Sequence, residues 1–332
     1  MNIAINGFGR IGRVILKIAL ERKLKVSVIN DVHGAEYAAY LLKYDSIYGK
    51  YKGKISFSGD MLIVDGKKIK VISERDPTTI NWNAMGIDVV VESTGVFTDR
   101  ENASKHLLSG AKHVIITAPA KQPDITIVPG VNHKLLKKEH QLISVASCTT
   151  NCLVPVLKVL NESFGIERAL ITTAHAYTND QVIHDSFHKK KRRGRAAALN
   201  IVPTSTGAAE AVAEVMPELT GRVNGLAVRV PVACGSLVDL VAELKGEFDA
   251  DTINAAFKKY AMKELIGILE YSEEELVSSD VIGNAHSSVF DSLSTQVDGN
   301  LVKVLAWYDN EFGYSNRVVD VLQMVSKFGK WF

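Results

Sequence analysis

The stretch Gly7-Phe8-Gly9-Arg10-Ile11-Gly12 constrains this chain more than any other. It follows an apolar run, Ile3-Ala4-Ile5, and precedes a pattern in which Val14, Ile15, Ile18 and Ala19 recur at helical spacing. A second apolar run over residues 26–29 ends in Asn30-Asp31. Strand, glycine turn, helix, strand and acid in that order form the dinucleotide-binding fingerprint in the context that gives it meaning. Gly7 permits the tight turn, Gly9 lets the backbone approach a pyrophosphate, and Gly12 lets the helix pack on the strand. The N–H groups of Arg10 and Ile11, at the positive end of the helix, would carry that pyrophosphate. Asp31, about 20 residues further on, is expected to accept hydrogen bonds from the adenosine ribose and to repel a 2′-phosphate, which favours NAD over NADP.

The remainder of the first half extends a sheet. Residues 55–57, 61–64 and 69–72 read as short strands joined by Gly-Asp and Asp-Gly turns, an antiparallel insertion in place of a further βαβ unit. Val89-Val90-Val91 ends in Glu92-Ser93-Thr94-Gly95, a strand-end loop of the kind that lines a cofactor crevice. A helix over 100–108 leads to strands at 114–117, 125–128 and 142–145. Arg75 is either an adenine-side contact or an exposed loop charge.

The second strong signal is Ser147-Cys148-Thr149-Thr150-Asn151-Cys152. A strand-like run precedes it, and Leu153, Val156, Leu157 and Leu160 follow at helical spacing, so Cys148 falls near a helix N-terminus. Unpaired N–H groups and the helix dipole there favour an anion and are expected to lower the thiol's pKa. The alternative is a buried structural cysteine. Cys148, Cys152 and Cys234 are the only cysteines, which excludes a disulfide framework and leaves no convincing third and fourth ligand for a metal.

After residue 165 the alternation changes. Strands at 169–173, 225–230, 237–244 and 301–307, with helices at 207–215 and 252–262, imply an α+β domain with a mainly antiparallel sheet. A last helix from residue 315 is expected to return to the first domain. His175 ends the strand that contains Thr172-Thr173, and a cysteine nucleophile needs such a base near its ordinary pKa. Lys189-Lys190-Lys191-Arg192-Arg193-Gly194-Arg195 is open to three readings: a solvated loop, a phosphate site or a nucleic-acid patch. Thr204-Ser205-Thr206-Gly207 before a helix, with Arg229 at a strand end, makes a second candidate anion site.

With 332 residues, two domains are the default. A net charge of +2 points to neither nucleic acid nor membrane as the main partner, and no apolar run reaches the roughly 20 residues a bilayer needs. The start, Met1-Asn2-Ile3-Ala4, lacks the basic region of a signal peptide, so a cytoplasmic location is expected.

The chain resembles the phosphorylating glyceraldehyde-3-phosphate dehydrogenases through INGFGRIGR, HLLSGAKHVIITAPAK, SCTTNCLVP, AHAYTNDQ, PTSTGAAEAV and WYDNEFGYSNRVVD, spread over its whole length. The resemblance implies a Rossmann NAD-binding domain over 1–147, completed by a C-terminal helix over 315–332, a catalytic domain over 148–314, and a homotetramer. It implies that Cys148 attacks the aldehyde of glyceraldehyde 3-phosphate, that His175 is the base, and that inorganic phosphate cleaves the resulting thioester. It further assigns Arg10, Ile11, Asp31, Arg75, Thr117 and Asn316 to NAD, and Ser147, Thr149, Thr206 and Gly207 to inorganic phosphate. Thr178, Arg193 and Arg229 fall to the substrate phosphate, with Arg195 as the alternative to Arg193. Asp185-Ser186-Phe187 departs from a Leu-Pro pair frequent in NAD-specific relatives, which leaves some NADP use open. Erythrose-4-phosphate dehydrogenase is a rival that usually lacks the Thr178-Asn179-Asp180 and Thr206-Gly207-Ala208-Ala209 motifs. A scaffold or nucleic-acid role is the rival of a different class.

Overall fold

The computed structural model describes residues 1–328, so the last four residues of the expected C-terminal helix, 329–332, lie outside the described residues. Two compact units divide the chain. The first comprises Met1–Ile127, Leu135–Ala146 and the described residues from Ser315 to Phe328; the second comprises Val128–Lys134 and Ser147–Tyr314. The segment Val128–Lys134 therefore departs from the expected limits. Gly130 lies so close to Leu265 and Ile268 that a Cβ there would meet their side chains at 3.0–3.2 Å.

In the first unit, β1 (Asn2–Asn6), α1 (Arg10–Glu21) and β2 (Lys25–Asn30) realise the glycine-turn pattern. Next come α2 (Gly34–Lys43), a two-residue ladder of β3 (Tyr44–Asp45) with β4 (Gly49–Lys50), and the strands β5 (Ile55–Ser58), β6 (Met61–Val64) and β7 (Lys67–Ile72). Then follow β8 (Val89–Glu92), α3 (Arg100–Leu108), β9 (His113–Ile116), β10 (Ile125–Thr126) and β11 (Leu142–Ser144). The sheet order is β10-β11-β9-β8-β1-β2-β7-β6-β5. From β1 the chain runs outward through β2, then crosses back to β8, so the order reverses between β1 and β8. Ligands bind at such a switch point, outside the carboxyl ends of the strands.

The insertion over 50–72 is less separate than its turns suggest. β5, β6 and β7 pair antiparallel, but β7 also pairs in parallel with β2 through Val28↔Lys70, Ile29↔Val71 and Asn30↔Ile72. Ile69 and Val71 point inward and are buried, and burying such a side chain contributes about 1.5–3 kcal/mol. That gain favours joining the core over a free hairpin. The core on one side of the sheet gathers Ala4, Val28, Ile80, Trp82, Ile87 and Val90.

The second unit opens with α4 (Cys148–Phe164) and β12 (Ile166–Ala176). It continues through β13 (Val202–Thr204), α5 (Ala208–Val215), β14 (Val223–Val230), β15 (Ser236–Leu244), α6 (Ala250–Ala261), β16 (Leu269–Ser272), β17 (Ser288–Asp298) and β18 (Leu301–Tyr308). The sheet order β13-β14-β12-β15-β18-β17-β16 is mainly antiparallel, with β12/β14 and β16/β17 as its parallel pairs. The last helix, α7 (Phe312–Ser326), starts three residues before the expected 315 because Asp309 Oδ1 accepts from the N–H groups of Glu311 and Phe312, both at 2.8 Å.

Candidate active site and dinucleotide cleft

The expected site residues fall into two groups, one within each unit. In the first, a cleft of about 400 Å3 is lined by Gly7, Phe8, Gly9, Asp31, Val32, Arg75, Thr94 and Phe97 among others. Gly7 has φ +89, and Gly12 is packed so tightly that a Cβ would stand 2.2 Å from the Gly7 carbonyl oxygen. Gly9 differs, because a Cβ there would have nothing within 4 Å. No packing among the described residues demands glycine at that position, and the opening beside the first N–H groups of α1 is what a pyrophosphate requires. The residues present thus fit a dinucleotide. Asp31 faces the same cleft, its Oδ2 accepting from Phe8 N–H at 2.9 Å. The Arg10 side chain turns away to Asp45 at 2.8 Å, leaving its role to the backbone N–H. Thr117 is tied through its N–H and Oγ1 to the Glu92 carbonyl, both at 3.0 Å, and Arg22 donates to Asn316 Oδ1 at 2.5 Å.

Beneath the cleft lies a polar network that no sequence motif announced. Trp82 Nε1–H donates to His106 Nδ1 at 3.2 Å. An indole N–H only donates, so Nδ1 accepts, and the ring proton sits on Nε2, 3.1 Å from Glu92 Oε2. Glu92 also accepts from Asn6 Nδ2 at 2.6 Å, from Thr94 N–H at 2.8 Å and from the Thr94 hydroxyl. Asn6 in turn accepts from Asn30 Nδ2 at 2.7 Å, and Asn30 Oδ1 accepts from Glu74 N–H at 2.8 Å. The carboxyl ends of β8, β1 and β2 and the loop before Arg75 are thereby pinned to one another. The signal available in sequence was a polar residue ending each of three apolar strands.

In the second unit, α4 begins at Cys148 because Ser147 caps it, its Oγ accepting from Thr150 N–H at 3.0 Å. Just before it, buried Ala146 holds φ +52, a left-handed conformation unusual for a residue with a side chain. Cys148 Sγ lies 3.4 Å from His175 Nε2. The other ring nitrogen, Nδ1, lies 2.6 Å from the Ala176 carbonyl oxygen, which can only accept. Nδ1 therefore carries the proton, and Nε2 presents a lone pair to the thiol, the tautomer a general base needs.

The electrostatics correct two expectations. Burial pushes the Cys148 thiol up, although Arg229 and the N–H groups of Thr149 and Cys148 pull it down, so the helix end does not win outright. Burial, reinforced by Arg229 and Arg193, lowers His175 to about 3 in place of the ordinary value expected. His175 is 4% exposed, which accounts for the direction.

Around this pair sits positive charge. His175 and Arg229 are register partners on the parallel strands β12 and β14, so their side chains leave the same face. Arg229 donates to Thr178 Oγ1 at 2.9 Å and to the Ala176 carbonyl at 3.2 Å, while its buried Nε has no partner. Arg193 bonds Thr204 Oγ1 at 3.0 Å and pairs with Asp180; Arg195 is largely exposed and pairs with Asp185 instead. Only Arg193 shares charge with the site, since it depresses both His175 and Arg229. Thr206 Oγ1 accepts from Ala208 N–H at 3.2 Å beside Gly207 at the start of α5. Thr149 Oγ1 lies 2.9 Å from the Tyr308 hydroxyl, which is also 2.9 Å from Thr173 Oγ1. Tyr308, edge-on to the His175 ring, escaped the sequence reading, though the alternation of β18 turns it inward. Among the described residues no group of three His, Cys, Asp or Glu side chains could hold a metal ion.

A doubly wound sheet with the glycine turn at its switch point, and a second unit carrying a cysteine 3.4 Å from a histidine amid guanidinium groups, fit a dinucleotide-dependent dehydrogenase. The chain belongs to the glyceraldehyde-3-phosphate dehydrogenase family. It matches the NAD binding domain of that family over residues 1–100 and the C-terminal domain over 147–310. Glyceraldehyde-3-phosphate dehydrogenase 1 of Bacillus subtilis is 55% identical over 332 residues, covering 99% of each chain. The enzymes of Geobacillus stearothermophilus, at 55% with 99% of each chain covered, and Streptomyces coelicolor, at 53% with 98% of each covered, are similar to the same extent.

Proposed function

We propose that this chain oxidises the aldehyde of glyceraldehyde 3-phosphate with NAD and inorganic phosphate to 1,3-bisphosphoglycerate, a reaction of glycolysis and gluconeogenesis. The observation that carries this reading is the Cys148–His175 pair, 3.4 Å apart, with the histidine tautomer fixed by the Ala176 carbonyl.

His175 Nε2 takes the thiol proton as Sγ bonds to the aldehyde carbon, then returns it to the new alkoxide, giving a thiohemiacetal. NAD, when bound, would supply the hydride acceptor for that carbon. As the hydride leaves, His175 takes the hydroxyl proton and the carbonyl re-forms as a thioester on Cys148. A phosphate oxygen attacks this carbonyl, the C–S bond breaks, and the thiolate departs to leave an acyl phosphate.

Arg229 with Thr178, and Arg193, are assigned to the substrate phosphate; Ser147, Thr149, Thr206 and Gly207 are assigned to inorganic phosphate. The partnerless Nε of Arg229 supports an anion beside it. The hydroxyls of Ser147 and Thr149 are engaged with Thr150 and Tyr308, so their contribution is to hold the N-terminus of α4 in place for the anion. In the cleft, the N–H groups of Arg10 and Ile11 hold the pyrophosphate and Asp31 the ribose, with Arg75, Thr117 and Asn316 as further contacts. The first unit is read as the NAD-binding domain and the second as the catalytic domain.

A homotetramer is proposed as the working form, supported by Ile183, Phe187, Leu199 and Ile201, which stand 69–90% exposed in one segment. The cytoplasm is the proposed location: the cysteines are free thiols, and no helix among the described residues is long and apolar enough to cross a membrane. The test is the rate of NADH formation from glyceraldehyde 3-phosphate as phosphate is varied. A rate that saturates with phosphate supports acyl transfer to phosphate, and a rate indifferent to phosphate rejects it.

A further inference from the structure

Asp31 does not stand alone at its end of the cleft. Its Oδ1 accepts from the backbone N–H of His33 at 3.0 Å and lies 2.9 Å from His33 Nδ1, while Oδ2 accepts from Phe8 N–H. A carboxylate oxygen has about two acceptor sites, so Oδ1 is filled and one site remains on Oδ2. Apart from a tilted ring contact with Tyr37, centroids 5.4 Å apart, the described residues make no other use of the His33 imidazole. Its side chain is 64% exposed, and although His33 stands at the N-cap of α2 it makes no side-chain capping bond. Arg75, a cation with no carboxylate partner among the described residues, lines the same cleft.

The discrimination that Asp31 supplies has two parts: both oxygens are available to the ribose hydroxyls, and a bare negative charge faces any 2′-phosphate. The imidazole removes one oxygen from the first and disperses the charge of the second. Arg75 adds a guanidinium of the type that accommodates a 2′-phosphate. We propose that His33 is a specificity-determining residue that masks Asp31 and lets the cleft accept a dinucleotide bearing a 2′-phosphate as well as NAD. The inference rests on the assignment of this cleft to the dinucleotide.

The test is direct binding, so that it does not depend on turnover. Dissociation constants for NADH and NADPH are measured by nicotinamide fluorescence on the full chain, on His33→Leu, on Asp31→Asn and on the double variant. Removing the imidazole unmasks the carboxylate, and the ratio of the NADPH to the NADH constant is expected to rise roughly fivefold or more. In the Asp31→Asn background the same change is expected to move the ratio less than about twofold, because no carboxylate remains to mask. An unmoved ratio in the wild-type background, or an equal shift in both, overturns the role of His33 while leaving the functional reading intact. Failure of the wild type to bind either nucleotide overturns both. The exposure of His33 keeps the substitution from threatening the fold.

Discussion

At the scale of single residues, the chemistry turns on which way each proton sits. His175 stands out in the sequence as a candidate base from its place after an apolar strand, but its 3.4 Å approach to Cys148 joins residues 27 apart in sequence and becomes visible only in the folded chain. The sign of the thiol shift is not legible in sequence for a physical reason: the sequence reveals a helix N-terminus but not how much protein surrounds the half-buried thiol. Because burial raises the thiol, its thiolate fraction grows with pH above the ordinary range. Alkylation of Cys148 by iodoacetamide should therefore accelerate steadily through pH 8 and 9 and not level off below 7. Arg229 lowers the thiol, so Arg229→Gln should slow alkylation at pH 8 and shift the profile further upward; a profile unmoved by that change contradicts the assigned field. His175→Asn keeps a side chain able to donate to the Ala176 carbonyl but removes the lone pair, and kcat should fall about 10²–10⁴-fold, read from NADH formation at saturating substrate.

At the scale of elements, the glycine turn was the most legible feature, because strand, turn and helix carry their own periodicities. The three glycines nevertheless predict different outcomes. Gly9→Ala should fold with a loss of at most about 1 kcal/mol, since the added Cβ meets nothing, yet bind NADH markedly more weakly. Gly12→Ala drives a Cβ against the Gly7 carbonyl and should cost about 3 kcal/mol or more, measured by denaturant unfolding. The pairing of β7 with β2 was not legible, because turns report only the local hairpin while the buried Ile69 and Val71 decide the long-range partner. Nor was the network under the cleft: Asn6 and Glu92 lie 86 residues apart. Trp82→Phe leaves His106 Nδ1 buried without a donor and should cost about 1–3 kcal/mol of stability, with weaker NADH binding as the Glu92–Thr94 loop loosens. Unchanged values on both counts would deny the network its supporting role.

At the scale of the molecule, the two-part organisation was legible in the change from alternating strands and helices to consecutive strands after residue 165. The transfer of Val128–Lys134 to the second unit was not, because it depends on Gly130 meeting Leu265 and Ile268. The proposed tetramer predicts a sedimentation mass near four chains, and Phe187→Asp, which places a charge on a side chain 90% exposed in the single chain, should shift that mass downward. A monomeric mass for the unmodified protein would remove the assembly from the account. The central claim is covalent chemistry at Cys148, and a single turnover without phosphate tests it most directly. Wild-type enzyme mixed with NAD and glyceraldehyde 3-phosphate should give a burst of about one NADH per chain, the expectation for acyl-enzyme accumulation, together with a mass increase on the peptide carrying Cys148. Cys148→Ser should give neither. A full burst from Cys148→Ser, or an acyl group found on another residue, would contradict the mechanism.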